Sequence, residues 1–307
     1  MILYTLYFVP GGSVFGVSPA YFFSRFTTDF TVDQIAQALP DLRREGFSGF
    51  QLEIYHLHAV KEWEEKSRYL SRVAEGEGLV PTQFVAHFLL HGFDSVSTVT
   101  STFGIEEIKR VIEILKSFPR CRVVTVPMPA FALEPGALYE KNRYASLYQA
   151  VVDKVGRMLE LVESADLRMA LELVPASLVG GIDGFFRLCA TLGSDTLGYN
   201  FDTGHAFSSK ELVALIPARF AIQGGTRIYG THLKDNWGKE NLALRPGAGG
   251  IPWEDLLRNL LRSGYTGSLD LEIVCEAEKV REEYGRGLRF LQEIVARLAP
   301  ETVKVRA

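Results

Sequence analysis

Four β-like runs of this chain each end on a side chain of the kind that binds metal ions. They are Leu171-Glu172-Leu173, Phe201-Asp202-Thr203-Gly204-His205, Thr231-His232-Leu233-Lys234-Asp235 and Leu271-Glu272-Ile273. The intervals from Glu172 to Asp202, to His232 and to Glu272 are 30, 30 and 40 residues. A strand, a helix and the loops joining them consume about 30 residues or more. Carboxylates and an imidazole recurring at that period are brought together at one mouth of a parallel barrel. The spacing therefore predicts an α/β chain folded as a single-domain (β/α)8 TIM barrel. An open doubly wound sheet explains the period less well.

The rest of the chain keeps the same rhythm. Strands are expected at 13–18, 49–55, 82–87, 122–126, 169–174, 198–202, 228–233 and 268–274. Val123-Val124-Thr125-Val126 is apolar on both faces, as in a strand covered on both sides. Between the runs, Ile105, Ile108, Val111 and Leu115 share one helical face, as do Val151, Val155, Met158 and Val162. Thr31, with Gln34 three residues on, reads as a capping box. A last helix carries Val280, Tyr284, Leu288, Leu291 and Leu298, and is expected to end before Pro300. At 307 residues the chain suits a barrel, which needs about 250.

A formal net charge of −4 gives no overall basic field for non-specific nucleic-acid binding. Cys121, Cys189 and Cys275 are odd in number and sit in apolar contexts, so they read as reduced core residues of a cytoplasmic protein. The apolar start, Met1 to Pro10, lacks a basic flank and is too short to span a bilayer. Residues 1–12 read as an extension leading into the barrel, with no membrane segment. The longest excursion, 127–144 after the fourth strand, reads as a lid or substrate wall over the active-site face. Any exposed aromatics between 131 and 148 point to a homo-oligomer contact near that mouth.

Glu172, Asp202, His232 and Glu272 form a donor set of three carboxylates and one imidazole. That set favours a hard or borderline divalent ion with open coordination, manganese foremost, with magnesium, cobalt or zinc compatible. Without an ion, three converging carboxylates are expected to repel one another and raise each other's pKa values. Taken singly, each position has a plainer reading as an ion-pair partner, a turn or a packing histidine. The shared register is what makes them one site.

Residues 13–298 resemble the xylose-isomerase-like barrel superfamily, which includes ketose 3-epimerases, hydroxypyruvate isomerase, inosose dehydratase and endonuclease IV. The resemblance is carried by Leu171-Glu172, Asp202 to His205, His232 to Asp235, Pro246-Gly247-Ala248-Gly249-Gly250-Ile251-Pro252-Trp253 and Leu271-Glu272. It implies that Glu172, Asp202, His232 and Glu272 bind one catalytic divalent metal. It also implies that His205 contacts substrate or a second ion, and that Arg245 reaches a substrate oxygen. His87 and Glu53, at the ends of the third and second strands, are further candidates for substrate contact. Asn241 and Ala243 stand where the nuclease members carry an Asp-x-His pair, which argues against a three-metal phosphodiesterase site.

The resemblance to ketose 3-epimerases further implies a metal-dependent isomerase or epimerase of carbohydrate metabolism. Its substrate would be a small sugar, sugar phosphate or polyol ketone. The ion would stabilise an enediolate while Glu172 and Glu272 exchange protons on its two faces. The alternatives are an inosose-type dehydratase on the same site, an endonuclease IV-like nuclease, or a sugar-binding barrel without turnover. The glycine-rich 246–253 segment lacks the strand–glycine–helix order of a dinucleotide site, though a sugar-phosphate contact there is compatible with barrel precedent.

Overall fold

The structure, a computed structural model, describes residues 14–133, 142–223 and 227–305, with side chains described as far as residue 298. The expected extension at 1–12 and the middle of the 127–144 excursion, Tyr139 included, lie outside the described residues.

Where β-branched and aromatic residues run together between turn residues, strands form. They are β1 (Phe15–Val17), β2 (Gly49–Glu53), β3 (Val80–Val85), β4 (Val123–Met128), β5 (Arg168–Leu173), β6 (Leu197–Asp202), β7 (Ile228–His232) and β8 (Leu269–Leu271). All the ladders are parallel, in the order β7-β6-β5-β4-β3-β2-β1-β8. A parallel bridge between Leu233 and Leu271, with Leu233 N–H donating to Asp270 O at 2.8 Å, joins β7 to β8 and closes the ring. The eightfold barrel is the architecture the spacing predicts.

Around it lie α1 (Ala20–Phe26), α2 (Val32–Arg44), α3 (Val60–Gly76), α4 (Val96–Val99), α5 (Ile105–Leu115) and α6 (Arg143–Ser164). The circuit is completed by α7 (Ile182–Leu192), α8 (Thr203–Ser208), α9 (Ile216–Ile222), α10 (Trp253–Arg262) and α11 (Val280–Val305). The expected apolar faces are the buried ones: Ile105, Ile108, Val111 and Leu115 on α5, and Val151, Val155, Met158 and Val162 on α6. Each such side chain contributes roughly 1.5–3 kcal/mol when fully buried. The capping box at Thr31 is present, with Thr31 Oγ1 accepting from Gln34 N–H and Gln34 Oε1 accepting from Thr31 N–H.

Three boundaries differ from expectation. Helix α11 continues through Pro300 to Val305; a proline removes one backbone donor, and the helix tolerates that here as it does at Pro40 within α2. Strand β4 reaches Met128 because Pro127 and Met128 still pair with Glu172 and Leu173, so the excursion starts two residues later. Strand β3 ends at Val85, which places His87 in a 3-10 turn beyond it.

The barrel interior departs from the aliphatic layers usual for this architecture. Gln51, Gln83, Thr125, Asn200, Thr231 and Asp270 are all buried. Gln51 of β2 bonds to β7 and β8, and Gln83 of β3 bonds to Asn200 of β6. Strands that are not neighbours in the sheet can be linked in this way only across the lumen. Cys121 and Cys189 are buried free thiols, and Cys275 is half-buried.

Candidate metal centre

The four strand-end residues come together at the C-terminal mouth of the barrel. One ligand atom from each of Glu172, Asp202, His232 and Glu272 lies within 4.8 Å of all the others. His232 Nδ1 is central, 3.1 Å from Glu172 Oε2, 3.1 Å from Glu272 Oε2 and 3.8 Å from Asp202 Oδ2. Asp202 divides its carboxylate between two tasks. Its Oδ1 accepts from His205 N–H at 2.8 Å and so caps α8, while Oδ2 faces the cluster.

The cluster fits a metal ion. Asp202 Oδ2, His232 Nδ1 and Glu272 Oε2 are buried and none makes a well-aligned hydrogen bond. Buried polar atoms without well-aligned hydrogen bonds are costly, and coordination would satisfy all three, beside the ion pairs the two carboxylates make with Lys234. The donor chemistry, one imidazole nitrogen and three carboxylate oxygens, suits a divalent cation.

Positive charge inside the cluster moderates the expected repulsion. Lys234, two residues after His232 and 2% exposed along its side chain, places Nζ 2.7 Å from Asp202 Oδ2 and 3.1 Å from Glu272 Oε2. Burial alone would raise the Asp202 pKa, yet His205 and Lys234 hold it well below the usual carboxylate range. Glu272 is likewise held low by Lys234 and His232 against its burial. Burial opposes the charge on His232, but Glu172 and Glu272 keep its pKa well above an ordinary imidazole's. The Lys234 ammonium thus pairs with two of the proposed ligands.

The remaining candidates divide. His205 Nε2 lies 3.5 Å from Glu172 Oε1 and 3.7 Å from Asp202 Oδ2, so it borders the cluster, and burial lowers its pKa. Glu53 is buried at the end of β2 with Oε2 unpaired. Burial, reinforced by Glu272 and Glu172, raises its pKa well above the usual range, although His232 opposes this. His87 stacks on Tyr55 with ring centroids 4.0 Å apart, and burial pushes its pKa down to about 4. Arg245 turns to the start of α11, where its Nε lies 3.2 Å from Glu283 Oε2.

The glycine-rich segment is a structural turn. Asp235 accepts from Gly247 N–H at 3.0 Å, Ile251 N–H at 3.1 Å and Trp253 Nε1–H at 2.7 Å. A carboxylate thus holds donors that a phosphate would need. Trp253 is 4% exposed and packs edge-on to Phe290; Trp237 is 65% exposed. Near the fourth loop, Phe131 packs against the core while Tyr144 is exposed and stacks on Tyr148.

Sequence reasoning passed over Gln51, Asn200 and Asp270. Each stands two residues before a site residue, so it faces the same side of the strand one layer deeper. That period-2 signal was available in Gln51-Leu52-Glu53, Asn200-Phe201-Asp202 and Asp270-Leu271-Glu272.

Comparison with known proteins agrees with this architecture. Uncharacterized protein MJ1311 of Methanocaldococcus jannaschii is 27% identical over 174 residues, 53% of this chain and 58% of that protein, so the match spans little more than half of the relative. Among solved structures, L-ribulose 3-epimerase superposes with a TM-score of 0.72 at 15% identity, covering 96% of this chain and 99% of that one. IOLI protein with a bound zinc atom superposes at 0.69 and 14% identity, covering 94% and 98%. Among the described residues, no helix is long and apolar enough to cross a membrane. The family profile described as xylose isomerase-like TIM barrel matches residues 39–294, so the chain belongs to the xylose isomerase-like TIM barrel family.

Proposed function

We propose that this protein is a divalent-metal-dependent isomerase or epimerase acting on a sugar or related polyol ketone. The observation that carries the reading is the placement of Glu172 and Glu272, each 3.1 Å from His232 Nδ1 in one buried cluster. Two carboxylates at one centre are what proton removal and return beside a carbonyl require.

When bound, a divalent ion supplies Lewis-acid polarisation of the substrate's carbonyl, which acidifies the neighbouring C–H. Glu172 Oε2, which accepts a hydrogen bond from Asn200 Nδ2 at 3.3 Å, is oriented to take that proton. Glu272, held ionised by Lys234, serves the other face of the enediolate. Proton return to the same carbon epimerises it, and return to the neighbouring carbon gives aldose–ketose isomerisation. Glu53, whose pKa burial raises, can in its protonated form donate a hydrogen bond to a sugar hydroxyl. His205, which borders the cluster, and His87, whose burial favours the neutral ring, can hydrogen-bond substrate oxygens. Similarity to L-ribulose 3-epimerase supports the reaction class, and the zinc of the IOLI structure keeps zinc beside manganese as the ion.

The test is metal content per chain, followed by proton exchange into a panel of ketoses in D2O. About one divalent ion per chain, with deuterium appearing beside the carbonyl, is the expected result. Exchange accompanied by loss of water would replace this reading with a dehydratase. An ion-free protein that still exchanges protons would overturn the metal dependence.

A further inference from the structure

The buried polar side chains beneath the cluster form two hydrogen-bonded chains, each leading to one ligand. On one side, His232 Nε2 lies 2.8 Å from Gln51 Oε1. Gln51 Nε2 donates to Thr231 O at 3.2 Å and to Asp270 Oδ2 at 2.9 Å. A backbone carbonyl is an acceptor only, so the amide nitrogen of Gln51 must face it and the amide oxygen must face His232. His232 Nε2 is then the donor, and Nδ1 is left as the coordinating atom of the neutral ring.

On the other side, Asn200 Nδ2 donates to Glu172 Oε2 at 3.3 Å, Gln83 Nε2 donates to Asn200 Oδ1 at 3.0 Å, and Thr125 Oγ1 donates to Gln83 Oε1 at 2.6 Å. Two glycines make room for these groups. A Cβ on Gly16 would come 2.0 Å from Asp270 Oδ1, and one on Gly230 would come 2.2 Å from Gln83 Oε1 and 2.7 Å from Asn200 Oδ1. Strands β1 and β7 thus give up side chains where β8, β3 and β6 carry amides and a carboxylate.

We propose that this polar layer positions the metal centre, with Gln51 as the residue that commits His232 to coordinate through Nδ1. The inference rests on the metal-dependent reading above and adds the identity of the coordinating nitrogen and the group that fixes it. An aliphatic lumen would fill the same volume but leave the imidazole free to choose either tautomer. Of the four candidate ligands Gln51 hydrogen-bonds His232, so it acts on the centre as a positioning residue through that ring.

Zinc titration of the wild type and of Gln51→Leu, with nitrogen-15 spectra of the histidine rings in the zinc-loaded wild type, tests the proposal. The expected wild-type spectrum shows His232 bound through Nδ1 with its Nε2 proton retained. In Gln51→Leu, zinc affinity should fall about 10- to 100-fold. The wild-type spectrum needs no variant, so it decides the matter even if Gln51→Leu does not fold. Coordination through Nε2, or unchanged affinity in a folded Gln51→Leu, would overturn the positioning role while leaving the metal centre in place. A wild type that takes up no divalent ion would instead sink the metal-dependent reading, and this proposal with it.

Discussion

Gly204 lies against the stem of Lys234: a Cβ there would come 2.7 Å from Lys234 Cγ and 2.9 Å from Cε. The preceding residue completes the fitting, since Thr203 Oγ1 accepts from Lys234 N–H at 3.0 Å and donates to Lys234 O at 2.6 Å. Asp202, Thr203 and Gly204 therefore seat the lysine that neutralises Asp202 itself. The ammonium is pinned by two carboxylates, so the stem has little freedom to yield. Gly204→Ala is expected to destabilise the fold by about 1–3 kcal/mol through overpacking. Chemical denaturation measures the loss, and an unchanged midpoint would refute this account.

Glu272→Gln keeps the shape of the side chain and removes its capacity to accept a proton. Loss of a positioned base typically lowers the rate by about 10²–10⁴-fold. Circular dichroism should remain native while turnover falls by that order, once a substrate is in hand. A variant with near-normal turnover would dispose of the two-base proposal.

Chelation should both stop turnover and lower the melting temperature. An ion that binds only the folded chain at 100 times its dissociation constant adds about 2.7 kcal/mol of stability. The stripped protein is expected to melt lower and to recover on adding back manganese or zinc. Identical melting curves with and without ion would contradict the coordination of Asp202, His232 and Glu272.

His87 gives a pH signature. Its pKa is pushed from 6.5 down to about 4 by burial, so between those values the unfolded chain binds the proton and the folded chain does not. Stability then rises with pH across that window and is lost as pH falls through it. The shift corresponds to roughly 3 kcal/mol at most. Asp270, raised to about 6 by burial, contributes with the opposite sign, so the diagnostic is a difference between proteins. His87→Phe retains the stack on Tyr55, and its stability should lose less than wild type between pH 7 and pH 4. Parallel pH profiles would show that His87 titrates normally.

The Asp235 carboxylate accepts from three buried donors, on Asn236, Ile251 and Trp253, and from a fourth on the exposed Gly247. Asp235→Ala strands the three buried donors, and each unsatisfied buried donor costs about 1–3 kcal/mol. A severe drop in melting temperature is expected. Trp253→Phe removes only one of these bonds and should fall between that variant and wild type.

Much of this was legible in one dimension. Glu172, Asp202, His232 and Glu272 announced themselves through their period, because each β/α unit consumes a near-constant length and delivers its strand end to the same face. The apolar face of α5 and the cap at Thr31 were equally readable, since helix periodicity and capping depend on neighbours three or four residues away. The stop before Pro300 was misread because a local propensity was taken as decisive where the helix continues through it. Arg245 was carried over from the resemblance, and its guanidinium turns to Glu283.

What the sequence by itself determined was the barrel rhythm, the apolar faces of its helices and the four converging ligand candidates. Only the tertiary structure decided that Lys234 enters the cluster, that Asp235 binds the glycine turn, and that Gln51 meets a histidine 181 residues away. The physical reason is that strand ends converge by repetition, which local spacing records. Contacts across the lumen depend instead on ring closure and on the stagger of non-neighbouring strands, which no local pattern encodes.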